Sequence, residues 1–146
     1  MDKKVERLET PEECESFARN VQEKHPDLAR EARRKGVQLG AAAQGAKTSA
    51  EREAWEGVLA YEAVLSAKHG RRIYASRTRQ MIKRHGIMGA VERAVNRRSP
   101  TVGYRALIEA GMQEFAFENV VVRHPELFSP ETVARARTRL EEWNRA

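Results

Sequence analysis

Residues 48–70 read TSAEREAWEGVLAYEAVLSAKHG, and this stretch decides the fold class. It opens with Thr48 three residues before Glu51, a capping box in which each side chain satisfies a backbone amide that the first turn leaves free. Trp55, Val58, Leu59, Glu62 and Leu65 then lie along one side at helical spacing, and Tyr61 and Val64 widen the stripe. His69 and Gly70 stop it. The pattern predicts a helix from Thr48 to about Ala67.

The same signals recur on both sides. Upstream, Thr10-Pro11-Glu12-Glu13 combines an N-cap, a proline at the first helical position and a capping glutamate, predicting a helix over 11–24. Pro26 opens another that runs towards Gly45, with Asp27 at its positive end. Gly36 and Gly40 in it mark either a close helix approach or a break. Residues 1–10 are charged and read as a flexible N-terminus rather than a signal peptide.

Downstream, residues 71–75 suit an extended link, and Ser76 is placed to cap a helix over 76–85. Gly86 separates it from a helix over 87–97. Helices over 102–110 and 112–122 follow on either side of Gly111, and the β-branched run Val120-Val121-Val122 reads as a buried helical turn. Ser129-Pro130-Glu131 starts the last helix, with Val133, Ala136, Leu140 and Trp143 on one face. The expectation is an all-α single domain over 1–146, built from seven or eight short helices. Trp55, Leu59, Val91, Val95, Leu107 and Leu140 are expected to share one core.

Composition narrows the function classes. Hydrophobic residues make up 40% of the chain, but 21 of them are alanine, which suits one core and not two. No apolar run approaches the roughly 18 residues of a membrane helix. The lone Cys14 excludes an internal disulfide and a zinc site built on paired cysteines, and the expected location is cytoplasmic. His25, His69, His85 and His124 each stand at a predicted helix end, where capping explains them better than metal or acid–base chemistry. No phosphate loop, nucleophile elbow or HExxH motif is present. The chain is therefore not expected to be an enzyme or to need a cofactor or metal.

One segment repeats in outline. Residues 20–28 and 119–127 share Asn, Val, His, Pro and Leu at matching places, with Lys/Arg and Asp/Glu exchanges. The pattern describes a helix-to-helix corner. A duplicated ligand site on His25 and His124 is the sharper alternative.

Charge is concentrated. Between Lys68 and Arg98 stand ten basic residues and one acid, Glu92, so this window carries +9 while the rest of the chain carries −3. Polyanions are the usual partners of such a segment, although a solvated arginine-rich surface has the same composition. Arg77, Gln80 and Arg84 fall at i, i+3 and i+7 on one helical face, with Arg79 and Lys83 flanking them and Arg71 and Arg72 just before. The run from Ala75 to Ile87 resembles the recognition helix of helix-turn-helix DNA-binding proteins. It departs from that form at Gln80 and in the long link from Gly70 to Ala75. In the next helix Arg93, Asn96 and Arg97 face outward beside Gly89; arginine pairs with guanine and asparagine with adenine in the major groove.

The expected function is therefore a DNA-binding regulator or accessory factor reading double-stranded DNA. RNA is less favoured, because only Tyr74 and Tyr104 lie near the window to stack bases. An inhibitor or antitoxin-like module docking the same patch on an acidic protein surface is the alternative, and a homodimer is an allowed oligomeric state.

Overall fold

The computed structural model describes residues 2–145, and over these the chain is all-α, with eight α-helices and no strand. They are α1 (Lys3–Glu6), α2 (Pro11–Val21), α3 (Pro26–Ala42), α4 (Ser49–His69), α5 (Ser76–Val95), α6 (Val102–Glu109), α7 (Phe117–Arg123) and α8 (Pro130–Arg145). Single 3₁₀ turns stand at Gln113–Phe115 and Pro125–Leu127. None of the described helices is long and apolar enough to cross a membrane.

Local chemistry sets the ends. Thr10, Thr48 and Thr101 each accept a hydrogen bond from the amide three residues on, as N-caps do. Gly70 ends α4 in the left-handed conformation, φ 67°. The expected cap at Ser76 is displaced: Ala75 holds the N-cap position of α5 and makes no side-chain capping bond. The 112–122 helix is also split, because Ala116 is extended (φ −62°, ψ 145°) between the 3₁₀ turn and α7. Val120–Val122 is helical, and both Val120 and Val121 are fully buried.

The central helix is α4, which touches α3, α5, α6 and α7. Gly36 and Gly40 do not break α3. They admit its neighbours: an added Cβ at Gly36 would sit 3.1 Å from Cys14 Cβ of α2, and one at Gly40 would sit 2.9 Å from Leu59 Cδ1 of α4.

The apolar interior divides into three clusters. Val5, Ala18, Ala29 and Ala32 join α1, α2 and α3. Val37, Ala60, Leu107, Ile108 and Phe115 fill the middle, with Leu59 and Leu140 against them. Val91, Val95, Val120, Val121 and Ala136 join α5, α7 and α8. The single-core expectation is corrected accordingly: Leu59, Leu107 and Leu140 share the second cluster, Val91 and Val95 the third, and Trp55 is only half-buried. The flexible N-terminus is corrected too. Asp2 caps α1, and Val5 is fully buried.

The two His-Pro corners have nearly the same backbone, His25 at φ −137°, ψ 69° and His124 at φ −130°, ψ 57°. A residue before proline is kept out of the helical region, so each histidine ends one element and turns the chain into the next. Their side chains differ. His25 makes no capping bond, whereas His124 Nε2 lies 2.5 Å from Glu53 Oε2 of α4.

Candidate nucleic-acid interface

The link over 71–75 is tied to α4 before α5 begins. Ile73 N donates to Ser66 Oγ at 2.9 Å, and Ala75 N donates to Glu62 Oε2 at 2.8 Å. Glu62 is 3% exposed and also receives both arms of the Arg79 fork, Nε at 2.5 Å and Nη2 at 2.7 Å. Arg79 is thus committed to α4 rather than to the surface, and hydrogen bonding to Glu62 pushes its pKa further up. Sequence reasoning set Glu62 aside as one more member of the apolar stripe. An acid on that stripe, followed by a run of cations, was the available sign of a buried partner.

Within α5, Gly86 adopts φ 76°, ψ 167°, a region that essentially only glycine occupies. The helix therefore kinks into two arms, 76–85 and 87–95. The link that precedes the first arm, residues 71–75, is longer than the three- or four-residue turn of helix-turn-helix proteins, and the arm is followed by a one-residue joint at Gly86.

The kink leaves a concave groove of about 840 Å³. Arg77, Gln80, Arg84 and His85 line it from the first arm, and Gly89, Arg93, Asn96 and Arg97 from the second arm and its end, with Met81 also in its wall. Six of the ten residues selected from sequence thus meet in one concavity. Lys83 is exposed outside it. Arg71 and Arg72 border a separate cleft, where the Arg72 guanidinium lies 5.0 Å from the Tyr74 ring centre.

Several arginines elsewhere are paired: Arg33 with Glu15, Arg34 with Glu114, Arg123 with Glu53, Arg139 with Glu118. Others, such as Arg7, Arg52 and Arg105, stand singly without a described carboxylate; what sets the groove apart is that four gather in it. Arg77, Arg84, Arg93 and Arg97 form no ion pair with a described carboxylate. Glu92, the one acid in the lining, already accepts from Ser129 N at 3.2 Å.

The end of α5 is held by α8. Arg135 donates to the Asn96 carbonyl and Arg139 to the Arg97 carbonyl, satisfying acceptors that a helix end otherwise leaves open. Asn96 Nδ2 donates to Thr132 Oγ1 at 2.8 Å. This engages the donor that two-bond reading of adenine requires, so Asn96 serves the fold first. Arg139 is 6% exposed and also donates to the buried Glu118 Oε2 at 3.0 Å.

Among the described residues, no group of three or more His, Cys, Asp or Glu side chains is placed to hold a metal ion. No protein-family model matches the chain, and neither a curated protein nor a solved structure matches it significantly.

Proposed function

We propose that the chain binds nucleic acid, double-stranded DNA first, through the concave basic face of α5, and acts as a regulator or accessory factor. The observation carrying this reading is that four unpaired arginines, Arg77, Arg84, Arg93 and Arg97, line one groove whose single acid is already engaged. Guanidinium groups left unpaired beside one another repel, and a polyanion relieves that repulsion while releasing its own counterions. Gln80 adds an amide for base edges beside the phosphate-binding cations. Arg79 and Asn96 are placed outside the binding set as supports of the arms. Lys83, Arg71 and Arg72 act at longer range.

The test is a salt series with random-sequence duplex DNA. Four neutralised phosphates predict a log–log slope of about −3.6, and Arg77→Ala or Arg84→Ala each flattens it by about 0.9. If the folded protein fails to bind duplex at low salt, the DNA reading is lost. The groove would then belong to an acidic protein partner, with capture sensitive to the same substitutions.

A further inference from the structure

A second cavity, of about 270 Å³, opens beside the basic groove and shares Arg77, Met81 and Arg97 with it. Its walls are unlike the groove's. Tyr61, Tyr104 and Phe117 contribute rings from three helices, and Gly57 and Gly103 also line it, Gly57 allowing the Phe115 carbonyl and the Phe117 ring to come close. The volume lies just below the roughly 300–1,000 Å³ usual for drug-sized ligands, which suits one small ring system. Thr78, Thr101 and Glu118 add polar groups beside the shared arginines. Glu118 lines the cavity at 3% exposure, and burial pushes its carboxyl above the ordinary range despite the bond from Arg139.

Resting on the nucleic-acid reading above, we propose that this cavity takes the base of one unpaired nucleotide, with its phosphate on Arg77 and Arg97. A planar heterocycle meets the aromatic walls with its faces and offers ring-edge N–H donors to Glu118. Glu118 already accepts from Arg139 at 3.0 Å, so the three rings and the adjoining Arg77 and Arg97, rather than an unmet acceptor, favour a flat anion-bearing ligand over an aliphatic one. The phosphate position follows from the shared arginines, because an anion attached to a ring in the cavity emerges into the groove. A strand lying in the groove can therefore place a displaced base without moving its backbone away from the cations.

Gly103 supplies the discriminating variant. A Cβ there would lie 3.5 Å from the Tyr61 ring, an ordinary contact, so the fold accepts a side chain at this position in the cavity wall. Gly57 is unsuitable, since its Cβ would meet the Phe115 carbonyl oxygen at 2.6 Å.

The experiment compares two duplexes of equal length and charge by fluorescence anisotropy, one fully paired and one carrying a single bulged adenine. The bulged duplex is expected to bind about tenfold tighter or more, the range of one base stacked on aromatic rings. That ratio should fall to about one in Gly103→Leu, and also in Tyr61→Leu, which keeps apolar volume but removes a ring. Thermal melts establish that the variants are folded. Equal wild-type affinity for both duplexes overturns the cavity assignment and leaves the duplex reading standing, as does a preference that survives in both folded variants. Failure to bind either duplex removes the DNA reading. Calorimetry with deoxyadenosine monophosphate alone then decides the cavity: binding lost in Gly103→Leu upholds it as a free-nucleotide site, and no measurable binding ends it.

Discussion

Arg79 and Arg84 stand five positions apart on the same arm, yet their surroundings give them opposite work. Arg79 is held by buried Glu62, while Arg84 faces the groove without a carboxylate partner. Arg79→Ala should therefore lower the melting temperature by several degrees, since a charged hydrogen-bonded pair contributes about 1–3 kcal/mol and this one is partly screened. The salt slope of DNA binding should hardly change. Arg84→Ala should do the reverse, and a variant pair with the roles exchanged would refute the assignment. Glu53 carries a pH dependence. Burial raises its carboxyl, but hydrogen bonds from His124 and Arg123 outweigh that and hold it below the ordinary value of 4.5. The unfolded chain then takes up the proton first as pH falls. This link thus adds stability above about pH 4.5 and loses it as pH drops through the lower folded value. Melting curves should show a flatter acid limb in Glu53→Gln than in the wild type. Glu118 runs the other way, contributing most at low pH and less as pH rises through its raised pKa.

Elements were legible wherever caps and periodicity agreed. α2, α3, α4 and α8 begin at the positions their Thr-Pro, Pro-Asp, Thr-x-x-Glu and Ser-Pro-Glu signals name. The pattern failed where tertiary contacts outweighed it. The carboxylate of Glu62, from another helix, binds the amide at the start of α5, so the hydroxyl of Ser76 is not used as a cap. Likewise the Met112–Val122 periodicity hides the extended Ala116, which is 1% exposed and packed into the middle cluster. The groove was half legible: the outward arginines were readable from spacing, but their convergence depends on a backbone angle at Gly86. Gly86→Ala tests that dependence. The substituted residue would meet no steric obstacle beyond its own backbone, because an added Cβ there has open space around it. The left-handed extended conformation should still cost about 1–3 kcal/mol. Duplex affinity should fall although every arginine remains, and affinity equal to wild type would show that the kink does not shape the site.

Across the whole molecule, alanine and valine supply much of the interior, so stability is spread over three modest clusters. Sequence periodicity identified apolar faces but not which faces meet, and that is why six residues expected together are divided. Leu107→Ala, at a position only 4% exposed, should cost about 2–5 kcal/mol, measurable by denaturant unfolding. Leu59→Ala should cost less because Leu59 is half-buried. Removing residues 1–9 should also destabilise the chain, since Val5 closes the cluster between α2 and α3; an unchanged melting temperature would return that segment to the status of a tail. The bond from Arg139 to the Arg97 carbonyl has a temporal side, because its partners are 42 residues apart. At a synthesis rate of roughly 5–20 residues per second, Arg97 is made about 2–8 s before the side chain that secures it. During that interval the second arm has open carbonyls at its end, while the first arm can already close on Glu62. The second arm is thus expected to reach its final register against the first only once α8 has emerged.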